Sequence, residues 1–187
     1  MRFGWGIVDE KIVRNVDIKI HPYRSADFDA VTWLLLQSWK SNGVKTPIFE
    51  SVITVTRRNL GRELPKGAAH VATIRSRIVG FVTFREDEIP NLFVAPAFQG
   101  QGVGKQLLDF AKAKHPGGLW LTTLAPNTDA RRFYEREGLT LRVTRVGRRP
   151  GYRICWYDWR PGTPSHLRAL SASLRKQLSH DPLATSR

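Results

Sequence analysis

The sequence holds one cysteine, Cys155, one methionine, and 16 acidic side chains against 30 basic ones. A single thiol excludes an intrachain disulfide, so the fold must rest on an apolar core. That core is available, since 41% of the 187 residues are hydrophobic and 10% aromatic, ample for one domain. Long apolar runs are missing. The strongest, Val31-Thr-Trp-Leu-Leu-Leu36, is far shorter than the roughly 20 residues a membrane-spanning helix needs, and no signal-peptide apolar segment opens the chain. A cytoplasmic protein without membrane contact is the expectation. Metal-ligand spacing is lacking too: His21, His70, His115, His166 and His180 are scattered, and neither H-E-x-x-H nor C-x-x-C occurs. No metal is expected, and Cys155, between Ile154 and Trp156, reads as core.

The basic excess is uneven. Residues 1–95 carry 14 basic and 10 acidic side chains and residues 96–187 carry 16 and 6, so +10 of the net +14 lies in the second half. Such a field suits a polyanionic ligand, and an arginine-rich soluble surface would look the same. No recognisable nucleic-acid-binding motif accompanies it, so nucleic acid is not the expected partner.

What stands out is Asn91-Leu-Phe-Val-Ala-Pro-Ala-Phe-Gln-Gly-Gln-Gly-Val-Gly-Lys105, an apolar strand that runs into a glycine-rich turn and then a helix. Val103, Leu107, Phe110 and Ala111 recur at helical spacing and predict a helix over 103–114. No Ser, Thr, Asp or Asn precedes it to cap the first backbone N–H groups. The glycines let an anion approach the main chain and act as the cap. Two familiar phosphate loops fail letter by letter. G-x-G-x-x-G would need glycine at Lys105 or Leu107, and a Walker A loop would need glycine at Gln99 and Ser or Thr at Gln106.

Elsewhere the alternation of Val16-Asp-Ile-Lys-Ile20 predicts a strand, Ser25 a helix N-cap, and Phe28, Val31, Leu35 and Trp39 a helix to about Ser41. A weaker helix is predicted over 48–60. Strands follow over 68–74, 77–85 and 88–94, the first turn (Arg75-Ser-Arg77) lacking Asn-Gly or Asp-Gly chemistry. Residues 117–124 read as a buried strand entered by crossover from 91–94, hence parallel to it. Asn127 caps a short helix ended by Gly138, and 139–146 and 153–159 give two last strands. Residues 1–17 read as an arm, 18–159 as the domain, and 160–187 as a basic tail whose Leu167, Leu170, Leu174 and Leu178 suit one amphipathic helix.

Gln99, Gly102 and Gly104 spell Q-x-x-G-x-G after a Leu-Phe-Val-x-Pro strand end, which resembles the acetyl-CoA loop of the GNAT superfamily of N-acetyltransferases. Asn127 followed by Phe133-Tyr134 and Gly138 strengthens the resemblance, because that family repeats an Asn, a Phe-Tyr pair and a Gly at this distance. Positions seven apart on a helix differ by only about 20° in facing, so Tyr134 lies on the Asn127 side. The resemblance implies an α+β fold: a mixed, mostly antiparallel sheet with helices on both faces, splayed at a central βαβ unit. It implies acetyl transfer from acetyl-CoA to an amine by direct attack. Backbone groups of Gln99, Gly100, Gln101, Gly102, Val103, Gly104 and Lys105 would hold the pyrophosphate, Phe93 and Val94 would meet the acetyl and pantetheine portion, and Asn127 would hydrogen-bond the cofactor. Tyr134 would protonate the departing thiolate; a tyrosine merely packed on the sheet would satisfy the same spacing.

The base is the harder assignment. Family members often use a carboxylate on or near the strand before the glycine loop, and Glu88 is the best placed of Glu86, Asp87 and Glu88. In a regular strand, however, Glu88 would share a face with Leu92 and Val94, so the role requires a bulge, and a solvated turn cluster is the plainer reading of all three acids. The acceptor is unspecified, a small-molecule amine being favoured over a protein, and a monomer or homodimer is expected. The alternative is a non-catalytic acyl-CoA-binding or regulatory protein of the same fold, or a nucleic-acid-associated one.

Overall fold

The computed structural model describes residues 17–41, 54, 58, 68–147 and 153–162. Seven strands, β1 (Lys19–Pro22), β2 (Ala69–Ile74), β3 (Arg77–Arg85), β4 (Glu88–Val94), β5 (Leu119–Leu124), β6 (Thr140–Val146) and β7 (Arg153–Trp159), form one sheet in the order β1-β2-β3-β4-β5-β7-β6. All neighbours are antiparallel except β4 and β5. Those two are joined by a crossover through a helix, as the sequence predicts. Helix α1 (Phe28–Ser41) packs on β3 and β4 from one face; α2 (Val103–Lys114) packs on the same strands from the other. A third helix, α3 (Thr128–Arg136), shares the α2 side.

Two cores result. Val103, Leu107, Leu108 and Ala111 of α2 are fully buried against Val79, Val82, Leu121 and Tyr157. Each Val or Leu so buried contributes about 1.5–3 kcal/mol, which is why the apolar stripe of α2 is the sequence's most legible element. On the opposite face Val31, Leu34 and Leu35 of α1 close over Val71 and Phe81. The start of α1 differs from expectation. A 3-10 turn, Ser25–Asp27, precedes it, and Asp27 Oδ2 rather than Ser25 accepts the Arg24 N–H at 2.8 Å. Ser25 lies inside the turn rather than ahead of it, and the Asp27 carboxylate at the third position reaches back to the N-cap amide, as in a capping box. Of the predicted helix over 48–60 only Thr54 and Arg58 are described, both helical; the rest, the arm before Asp17 and the tail after Gly162 lie outside the described residues.

The β2–β3 turn lacks glycine, and Arg75 and Ser76 both take positive φ (48° and 65°). The strands therefore set this turn, not the reverse. Beneath α2, His70 of β2 is 5% exposed, in ring contact with Phe84 and Phe110, its Nδ1 enclosed without a partner. Burial, reinforced by Lys114 and His21, holds its pKa below the usual histidine range. The neutral form is thus favoured in the fold, and the unfolded chain binds more protons below about pH 6.5. Stability should be complete above about pH 6.5, decline as pH falls from there, and level off below the folded pKa. Urea midpoints between pH 7.5 and 5 should show a slope that shrinks in His70→Phe; an identical slope in both proteins would remove His70 as its source.

Candidate active site

The site is built on the one place where the sheet fails to close. Strands β4 and β5 pair only at Glu88 and Trp120, where Trp120 N–H donates to Asp87 O at 3.0 Å. From Ile89 onward they part, and the mouth of the split faces the glycine loop. In the loop Gly100 and Gly102 take positive φ (75° and 84°), and a Cβ on either would meet no protein atom within 4 Å. Gly102 is the N-cap of α2 and offers no side-chain acceptor; the first helical bond runs from Gln106 N to Gly102 O. The N–H groups of Val103, Gly104 and Lys105 are left to an outside acceptor by helix geometry. This backbone cradle at a helix N-terminus fits a phosphate group.

Other loop residues serve the loop itself. Gln99 Nε2 donates to Val94 O at 3.2 Å and Gln101 Nε2 to Ala97 O at 3.0 Å, which fixes the turn between β4 and α2. A Cβ at Gly104 would meet the Phe133 ring at 3.3 Å, so that glycine also permits α3 to approach α2. Lys105 pairs with Asp109 one helical turn on.

Along β4 the register with β3 slips between Thr83 and Arg85: Thr83 faces Asn91, whereas Arg85 faces Glu88. One extra residue therefore sits in β4 at Ile89-Pro90. Proline, which has no N–H for the ladder, is at home in such a bulge. The bulge inverts facing. Ile89, Leu92 and Val94 point to the α2 core, while Phe93 stacks on Phe81 (5.6 Å) and nears Trp39 (6.3 Å) on the α1 side. Glu88, opposite exposed Arg85, falls on that same α1 side.

Backbone groups divide likewise. Ala95 N–H donates to Val79 O at 2.8 Å, and antiparallel ladders alternate, so the N–H and C=O of Phe93 turn toward β3. Those of Leu92 and Val94 turn toward the split. The Val94 carbonyl is already occupied, by Ser38 Oγ of α1 at 3.0 Å and by Gln99. Leu92 and Ser38 thus join the site without having been singled out in the sequence. A period-two count that includes Pro90 as a regular strand residue hides Leu92, and nothing local marks Ser38.

From the other side, Asn127 Oδ1 accepts the Ala130 N–H at 3.2 Å and so caps α3, leaving its amide nitrogen. Tyr134 is 7% exposed, in ring contact with Phe133 and Tyr157, and burial pushes its pKa up to about 12. Its hydroxyl has no hydrogen bond to a described residue, yet it is not among the fully enclosed polar atoms. Tyr157, by contrast, is fully tied. Its hydroxyl donates to Glu135 Oε1 at 2.7 Å and accepts from Arg131 Nε at 3.3 Å, and burial raises its pKa. That network pins α3 to β7. The structure brings together the loop, the Leu92 and Val94 amides and the α3 residues Asn127 and Tyr134. Glu88 stands at the opposite end of β4, six residues and about 20 Å from Val94 at ~3.3 Å per residue. Among the described residues no group of His, Cys, Asp or Glu gathers as a metal site, and no helix is long and apolar enough to cross a membrane.

A seven-stranded sheet split between a parallel pair, with a glycine loop at the mouth, is a fold this chain shares with solved GNAT acetyltransferases. Residues 65–139 match the family described as acetyltransferase (GNAT) domain. The peptidyl-lysine N-acetyltransferase YjaB of Salmonella typhimurium is 36% identical over 76 residues, 40% of this chain and 52% of that protein. The solution structure of apo YjaB from Escherichia coli superposes with a TM-score of 0.67 at 22% identity, covering 76% of this chain and 97% of that one. PaiA N-acetyltransferase from Thermoplasma acidophilum, solved in complex with coenzyme A, gives 0.59 at 19% identity over 76% and 99%. The family match covers 75 of the 187 residues, and the superpositions show the GNAT fold. The chain spans between a third and about half the length of the curated relatives it matches.

Proposed function

We propose that this protein transfers an acetyl group from acetyl-CoA to a primary amine by direct attack, and that the bulge in β4 is the observation that carries the reading. It places one carboxylate, Glu88, on the α1 face while the Leu92 and Val94 amides line the split. Acetyl-CoA supplies the acyl group as a thioester. The loop amides from Gly100 to Lys105 hold its phosphates, and the length of β4 between loop and Glu88 matches a ligand with a long extended arm laid along the strand.

Chain residues then do three things. Glu88, through water, accepts the proton the ammonium must lose before nitrogen can attack. The Leu92 N–H donates to the carbonyl oxygen as negative charge develops there, a fixed donor that needs no reorganisation. Tyr134 donates to sulfur as the C–S bond breaks. No covalent enzyme adduct is needed, since holding amine and thioester in line supplies much of the barrier reduction.

The test is turnover of an amine panel with acetyl-CoA by wild type and Glu88→Gln. Loss of the base should lower kcat/KM by about 10²- to 10⁴-fold near neutrality, recovering at alkaline pH, where the amine deprotonates unaided. An equal rate in Glu88→Gln would withdraw the base assignment. Tight acetyl-CoA binding with no turnover of any amine would make the chain a binder instead.

A further inference from the structure

On the face that carries α1, that helix packs on β3 and β4, and the sheet continues beyond it through β5, β7 and β6. There Trp120 and Trp156 stack, with ring centroids 4.5 Å apart and planes 26° from parallel. Trp120 is anchored, its Nε1 donating to Asp87 Oδ1 at 3.0 Å. Trp156 is the outer leaf and is 36% exposed. Large rings kept at a water-facing sheet surface cost solvation unless something covers them.

The register gives the pair its setting. One row across the sheet reads Arg85, Glu88, Trp120, Asp158, Thr140, and Trp156 lies opposite Thr122 in the next row of the same face. Trp120 is one strand from Glu88, and Trp156 is one strand further and two residues along, so its position lies about 12 Å from that of Glu88 at ~4.8 Å per strand and ~3.3 Å per residue. The two carboxylates of the row differ. Asp158 is held by Arg142 at 2.7 Å and Arg160 at 3.8 Å, its side chain 14% exposed. Glu88 is scarcely more exposed, its side chain at 20%, but its partner among the described residues is Arg85 at 3.3 Å, itself 68% exposed, and a pair with so exposed a cation yields to a competing one at small cost. One carboxylate open to an ammonium and an aromatic platform two strands away make a two-point site.

Resting on the acetyl-transfer reading, we propose that Trp156, backed by Trp120, is a specificity-determining subsite for the acceptor, and that the acceptor class is a primary amine whose chain ends in a flat aromatic ring. The ammonium sits toward Glu88 and the ring stacks on Trp156. Arg142, Arg145 and Arg160 around the platform repel a second ammonium and leave a neutral ring unaffected, so polyamines are disfavoured.

The test pairs 4-phenylbutylamine with hexylamine, two amines of similar reach, one with a ring and one without. Wild type should favour 4-phenylbutylamine in kcat/KM by about tenfold, the size of one aromatic contact with its buried area. Trp156→Ala should erase that preference through KM, with hexylamine turnover and acetyl-CoA affinity unchanged, and Trp156→Phe should restore most of it. Quenching of tryptophan fluorescence by 4-phenylbutylamine, lost in Trp156→Ala, reports the subsite without turnover. Quenching with no acetylation of either amine would keep the subsite and overturn the reaction. Acetylation of both amines with no ring preference, or a preference that survives Trp156→Ala, would overturn the subsite.

Discussion

Tyr134→Phe is expected to lower kcat by about 10²- to 10³-fold while acetyl-CoA affinity and melting temperature stay close to wild type. The ring contacts with Phe133 and Tyr157 survive the substitution, and the hydroxyl has no hydrogen bond to a described residue that would be lost. Its elevated pKa, about 12, refines the role. A thiol titrates near 8.5, so complete proton transfer from Tyr134 to a thiolate would be uphill by about 3.5 pK units, or about 5 kcal/mol. Tyr134 therefore acts by donating a hydrogen bond to sulfur as charge develops, the phenol remaining a phenol. The pH profile follows: kcat should show no alkaline decline near pH 10, the ordinary tyrosine value, because the group stays protonated well above it. An unchanged kcat in the variant, with chemistry shown to limit turnover, would leave Tyr134 a packing residue. A large fall in melting temperature with proportionate loss of binding would do the same.

Gly102→Val should reduce acetyl-CoA affinity at least about a hundredfold, roughly 2.7 kcal/mol, with the fold retained. At φ 84° an L residue is strained by about 1–2 kcal/mol, a cost a folded domain survives. The added Cβ meets no protein atom within 4 Å, so its consequence falls on whatever occupies the cradle. Gly104→Val makes the useful contrast. Its Cβ would press on the Phe133 ring, so that variant should lose thermal stability along with binding. Undiminished affinity of Gly102→Val in calorimetry would move the phosphate site elsewhere.

The contrast between these two glycines shows what kind of information the sequence carries. Helix α2, the strands flanking the split, and the Asn127 cap follow from apolar periodicity and turn chemistry, which are local and were legible. Bounds of β3, β4, β7 and α2 agree with the sequence reading. The different uses of Gly102 and Gly104 depend on Phe133, thirty residues away, and no window on the sequence contains both. Ser25 reads as an N-cap, yet it falls inside a 3-10 turn whose N-cap is Arg24, and only geometry shows where that turn begins. Ser38 reaches the Val94 carbonyl from 56 positions away. Pro90 was the one local signal of the bulge, and it becomes decisive only when the register with β3 is known.

That bulge also determines how such a site can be lost. In a strand, identity is written residue by residue but orientation is written in parity, and a single insertion changes every later odd position to even. Deleting Pro90 would leave composition, charge and hydrophobicity almost untouched. It would nevertheless exchange the two faces of the strand between its start and the loop, driving the Glu88 carboxylate toward the apolar layer beneath α2, where an unpaired charge is expensive. Among descendants of this sequence, substitutions along β4 should therefore be common and changes of its length rare, the reverse of what is tolerated in the loops at either end.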